Sequence, residues 1–153
     1  MLFITMTHAA LAILATITGA FVLARRKGDI SHTTLGKIFV ISMILVNLSA
    51  FSFWPKYGFT FFQVLALWNL IWVLLGYYYA YKKPNNNWLV NHYYYISYAY
   101  LGVLAATVAR LPVTLEFAPT ESALISLVVV FGFGAYYIEK IGKKVREYRL
   151  SLR

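Results

Sequence analysis

Cysteine is absent from the 153 residues, which excludes disulfides, thiolate nucleophiles and cysteine-ligated iron–sulfur centres. Charge is almost as scarce: Asp, Glu, Lys and Arg together make up 12% of the chain, and only five residues are acidic. A soluble domain of this size would not carry so few charges, so the chain reads as a membrane protein with no separate soluble domain. Histidine occurs three times. No span is broken in mid-membrane and no inverted repeat stands out, which disfavours a small transporter.

What is present is apolar surface. Hydrophobic residues reach 61%, aromatics 18%, and the mean hydropathy is +0.65. Five apolar segments, at 2–24, 32–53, 59–81, 88–111 and 121–138, approach the ~20 residues needed to cross ~30 Å of hydrocarbon, the fifth at the short end. Their linkers carry turn residues: Gly28-Asp29, Pro55, and Pro84-Asn85-Asn86-Asn87. The expected fold is an all-α integral membrane bundle, up and down, of five transmembrane helices within 1–139, followed by a basic tail at 140–153. The first segment lacks a basic leader, and Arg25-Arg26-Lys27 follows it directly, so it reads as a span rather than a cleaved signal peptide.

Lysine and arginine set the expected orientation. Twelve of the fourteen fall on one side: Arg25, Arg26, Lys27, Lys37, Lys82, Lys83 and the six of the tail. Only Lys56 and Arg110 fall on the other. The positive-inside rule then places the N-terminus outside and the tail in the cytoplasm. The tail's charge is read as directed at anionic lipid headgroups rather than nucleic acid. Trp54, Trp88, Tyr77-Tyr78-Tyr79 and Tyr93-Tyr94-Tyr95 fit an interfacial aromatic belt.

Two polar levels follow from this topology. His32 and His92 begin two different spans on the cytoplasmic side, whereas His8 lies near the outer surface, roughly 25 Å away along the helices. That separation rules out one site holding all three histidines on a metal ion. His32 and His92 at one depth satisfy what axial ligation of haem b requires, with Gly36 one turn after His32 leaving room for a flat group. Another metal, or interfacial histidines that only hydrogen-bond, are the competing readings. The outer level gathers His8, Arg110 and Glu121, with Asn47 and Thr7 at similar depth. Arg110 is eighteen residues from His92, five helical turns, so both share one face of the fourth span. An intramembrane arginine calls for a partner: Glu121 (or Glu116) as a structural ion pair, or a quinone-like or anionic headgroup held by Arg110 and His8. Ala12, Ala15 and Gly19 form a small-residue packing stripe on the His8 face. Trp68, Asn69 and Trp72 lie in mid-membrane, where tryptophan fills a core or stacks on a planar cofactor.

The order Thr7-His8, Gly19, Arg25-Arg26-Lys27-Gly28, His32, Gly36, His92, Ser97-Tyr98, Ala105-Ala106, Arg110 resembles a family of bacterial predicted membrane proteins, the domain of unknown function twenty-three-zero-six. The resemblance covers residues 7–111 and leaves the fifth span and the tail outside. It implies a helical membrane bundle whose signature residues are the three histidines and Arg110, and it implies no activity. Where the family carries a basic pair after the third histidine, this chain has Tyr93-Tyr94.

The expected function is that of a small membrane redox or cofactor-binding protein, with His32 and His92 on haem b and a quinol-type site at His8 and Arg110. The alternative is a non-catalytic subunit or anchor that assembles with other membrane protein subunits. The orientation is directly testable because the chain has no native cysteine. In intact cells, an impermeant thiol reagent should label Lys56→Cys and miss Lys144→Cys; the reverse pattern would exchange the two polar levels.

Overall fold

The computed structural model describes residues 2–25, 27–114 and 122–151. Regular structure among the described residues is entirely helical: α1 (Leu2–Ala24), α2 (Ile30–Ser49), the single turn α3 (Trp54–Tyr57), α4 (Phe61–Lys82), α5 (Trp88–Thr114) and α6 (Ser122–Ser151). A 3-10 turn, Ala50–Phe53, joins α2 to α3.

The helix boundaries have local causes. Lys27 donates its ammonium to the Val22 and Leu23 carbonyls (2.9 and 2.8 Å), satisfying acceptors that α1 leaves open at its end. Gly28 then takes φ +86, a left-handed value that glycine adopts without a Cβ clash. Asp29 caps α2: its carboxylate accepts the His32 backbone N–H at 2.5 Å. At α4 the sequence Thr60-Phe61-Phe62-Gln63 forms a capping box, with the Gln63 side-chain oxygen accepting both the backbone N–H (2.8 Å) and the hydroxyl of Thr60. That box starts the helix at Phe61, slightly later than the apolar run begins.

Two compact units divide the chain, Met1–Leu74 and Leu75–Arg153, with α4 running through the boundary. The first is built on the antiparallel α1–α2 hairpin. Ala15, Thr18, Gly19 and Val22 line the buried stripe of α1, and Phe39, Val40, Met43 and Val46 that of α2. Small residues on one helix let large ones on the other be enclosed: Phe39 and Met43 are fully buried. Thr18 satisfies its hydroxyl on Leu14 O at 2.7 Å within its own helix, so burying it leaves no unpaired donor.

The second unit rests on the antiparallel pair α5–α6. Gly134 admits Leu101, and Gly142 admits the Tyr94 ring; a Cβ at either position would overlap those side chains. Residues 134, 138 and 142 recur at one-turn spacing, and Gly142 and Ile138 are buried. The α6 helix is 30 residues long and does not stop at 138 as the apolar pattern alone suggests. Residues 139–151 contain no proline and are rich in Lys, Arg and Glu, which sustain a helix. Arg149 also ties the end back to the α4–α5 linker, donating from Nε to Asn86 O at 2.6 Å.

Four helical segments, Leu2–Ala24, Ile30–Lys56, Phe61–Lys82 and Ala123–Ser151, are long and apolar enough to cross a membrane. At 27 residues α5 has the length but is less apolar, because it carries five tyrosines with Asn91, His92 and Arg110. Their outward faces expose Ile13, Ile17, Phe21, Leu67, Val128 and Phe133, a surface that matches lipid rather than water.

Gly→Ala replacements separate packing from helix propensity. Alanine favours a helix by about 1 kcal/mol over glycine. At Gly142, however, the new methyl meets the rigid Tyr94 ring, and overpacking of this kind costs about 1–3 kcal/mol. Gly142→Ala should therefore unfold at lower denaturant in mixed micelles, while Gly132→Ala, which meets nothing within 4 Å, should be neutral or stabilising. Equal effects at the two positions would contradict the α5–α6 packing.

Candidate functional site

His32 stands in the first turn of α2, fixed there by the Asp29 cap, and is half-buried. Its ring Nδ1 is enclosed and has no hydrogen-bond partner. Gly36, one turn on, lies on the same face, and a Cβ there would meet nothing within 4 Å. The ring also hydrogen-bonds the Val22 backbone at the end of α1, with Lys27 nearby, so Nδ1 is its one nitrogen left buried and unsatisfied.

At the opposite end of the α1–α2 hairpin, His8 Nδ1 lies 2.8 Å from Ser49 Oγ. Ser49 Oγ also lies 2.8 Å from Val46 O, and the direction of the His8–Ser49 bond follows the tautomer of the ring. The Phe53 ring meets the imidazole edge-on at 5.4 Å and 90°. Asn47, expected at a similar depth, is buried and donates Nδ2 to Met43 O of its own helix at 2.7 Å. Ser49 was not singled out from sequence; the signal lay in hairpin register, since counting outward from Gly28 brings His8 opposite residues 46–49.

In the second unit His92 Nδ1 lies 2.8 Å from the Gly76 carbonyl. A carbonyl only accepts, so Nδ1 carries the proton and the lone pair of the neutral ring sits on Nε2. Gly76 makes this approach possible: it is buried, and a Cβ on it would lie 2.7 Å from the Ile96 side chain. Tyr79 and Tyr95 stack nearby across the same two helices at 5.6 Å and 13°. Arg110 is on α5 five turns from His92, roughly 27 Å along the axis. It is exposed. Its expected partners Glu121 and Glu116 lie outside the described residues, so the ion pair at this level does too. The pairings His32 with His92 and His8 with Arg110 each join residues of different units.

A polar cluster centred on Glu139, which was not singled out from sequence, lies between α5 and α6. Glu139 accepts the hydroxyls of Tyr94 (3.0 Å) and Tyr98 (3.1 Å), and Arg146 approaches its carboxylate at 3.7 Å. Arg146 also donates to the Tyr94 hydroxyl at 2.5 Å. Tyr93 donates to Ile138 O at 2.9 Å. Two of the tyrosines read as an aromatic belt thus fasten one helix to the next. The i, i+4 spacing of Tyr94 and Tyr98 and the single acid ahead of the basic tail were the available signal. Trp68, expected to fill a core, is exposed, with Trp72 at 6.1 Å. Among the described residues no three His, Asp or Glu side chains come together as a metal-binding group.

Long apolar helices, hairpins closed by glycine and tyrosine contacts, and lipid-like outer faces define a helical membrane protein. Residues 5–139 match the family described as Predicted membrane protein (DUF2306), and the chain belongs to it. The match reaches Glu139 and so takes in most of α6, extending the sequence resemblance, which stopped at 111. No curated protein and no solved structure matches the chain.

Proposed function

We propose that the protein is a haem-b-type redox protein of the bacterial inner membrane, with α5 as a fifth span, the N-terminus outside and the basic tail in the cytoplasm. His32 and His92 would hold the haem in this reading. The observation that carries it is the Gly76 carbonyl on His92 Nδ1, which fixes the ring orientation and leaves Nε2 as the lone-pair nitrogen. Backbone carbonyls commonly orient ligating histidines in this way. His32 adds support through its enclosed, unpartnered Nδ1 beside the open face of Gly36. Bound there, the haem iron would supply one-electron transfer within the membrane. The chain's own residues do the rest: Gly36 leaves room for a flat group, and the neighbouring apolar helices exclude water.

The other polar level serves a quinol headgroup in this proposal. His8, held at Nδ1 by Ser49, serves as the proton-transfer group, and Arg110 offers donors to a quinone oxygen. Glu121 would balance the Arg110 charge. A non-catalytic subunit or anchor is the second reading. The broad apolar faces of α1, α4 and α6 favour it, because a partner subunit could cover them as well as lipid does.

An absorption spectrum of protein purified from haem-replete cells, oxidised and then reduced with dithionite, tests the first reading. A Soret band should be present, absent in His32→Ala and His92→Ala, and retained in His8→Ala. A colourless wild-type preparation would leave the subunit reading, and loss of the band in His8→Ala would contradict the assignment of ligands.

A further inference from the structure

The outward face of α6 carries a shallow groove lined by Val128, Val129, Gly132, Phe133 and Tyr136. Gly132 forms its floor, since a Cβ there would meet nothing within 4 Å. The walls are well exposed, Val128 and Phe133 each at 68%. Residues 129, 132, 136, 140 and 143 recur every three or four positions, so the groove and the side chains of Lys140 and Lys143 share one stripe of the helix. Tyr136 lies between the two parts, and the Lys140 ammonium sits over its ring at 6.0 Å. From Gly132 to Lys140 and Lys143 the helix rises roughly 12 and 16 Å. That is close to the depth of one leaflet, about half of the ~30 Å hydrocarbon core. Lys144 adjoins the pair, and Glu147 follows one turn beyond Lys143, farther from the groove.

We propose that this face is a binding site for an anionic phospholipid, with an acyl chain in the groove over Gly132 and the phosphate between Lys140 and Lys143. Charge decides between lipid and protein as the occupant. Two copies of this helix packed side by side in one membrane would bring both lysine clusters together, and like charges at that spacing repel. A lipid brings the complementary pair instead, an apolar chain at groove depth and a negative headgroup at lysine depth. Tyrosine at the boundary suits the same depth, with its ring among acyl chains and its hydroxyl in the headgroup layer. This site uses neither the histidines nor Arg110, so it stands or falls independently of the haem reading.

The test uses the full chain in phosphatidylcholine vesicles. Because no native cysteine is present, Val129→Cys carries a bromine-quenchable fluorophore, and Ile13→Cys on the exposed face of α1 serves as reference. Phosphatidylglycerol or phosphatidylcholine brominated on the acyl chain is added at equal minor fractions. At position 129 brominated phosphatidylglycerol should quench in excess of brominated phosphatidylcholine, with local enrichment on the order of fivefold for each lysine engaged. At position 13 the two should quench alike. Lys140→Gln with Lys143→Gln should remove the excess, and so should Gly132→Leu, whose side chain enters open space and fills the groove without disturbing the α5 contact. Equal quenching by the two lipids at 129 would overturn the proposal, as would an excess that survives the lysine replacements. An excess that survives Gly132→Leu would assign the effect to surface charge alone. Quenching by both lipids far below that at position 13 would show that another protein surface covers the groove.

Discussion

Lipid tails are as apolar as leucine, so two membrane helices gain little hydrophobic free energy by touching. Their association depends on close packing and on the few hydrogen bonds that side chains can reach. This constraint explains where the helices of this protein meet. The α1–α2 hairpin closes over Ala15 and Gly19, and α5 meets α6 where Gly134 and Gly142 remove bulk. Gly76 does the same where α5 meets the end of α4. Polar side chains then fasten what the small residues bring close: Ser49 on His8, Glu139 on Tyr94 and Tyr98, and the Gly76 carbonyl on His92.

The same contacts that hold the helices also set the state of the histidine rings. An acceptor on Nδ1 leaves the lone pair of a neutral imidazole on Nε2, as the Gly76 carbonyl does for His92. His32 differs, because its enclosed Nδ1 has no partner. Helix packing and site chemistry are therefore one problem here: replacing Gly76 would disturb both the approach of Ile96 and the orientation of His92.

Much of the fold was legible in the sequence because long apolar runs and turn residues report directly on membrane helices. The end of the first span at Ala24 and the start of the fourth at Trp88 follow from Arg25-Arg26-Lys27 and from Pro84-Asn85-Asn86-Asn87. Where the reading stopped short, the deciding signal was weaker than hydropathy. The capping box of Thr60 and Gln63 moves one helix start, and helix-forming charged residues carry α6 past Ile138. The places of the histidines along their own helices were legible, since they depend only on counting residues from each helix end. Their partners were not, because register between neighbouring helices decides that Ser49 and not Asn47 meets His8, and that Tyr94 and Tyr98 converge on Glu139.

The claim on which the account turns is that the Gly76 carbonyl holds the proton of His92 on Nδ1. Nitrogen-15 spectra of histidine-labelled protein in bilayers, with His92 assigned by its absence in His92→Gln, read this directly. The account predicts a protonated, pyrrole-type Nδ1 and an unprotonated or metal-bound Nε2. A His92 signal with its proton on Nε2 would contradict it, removing both the tether to α4 and the nitrogen offered to a ligand.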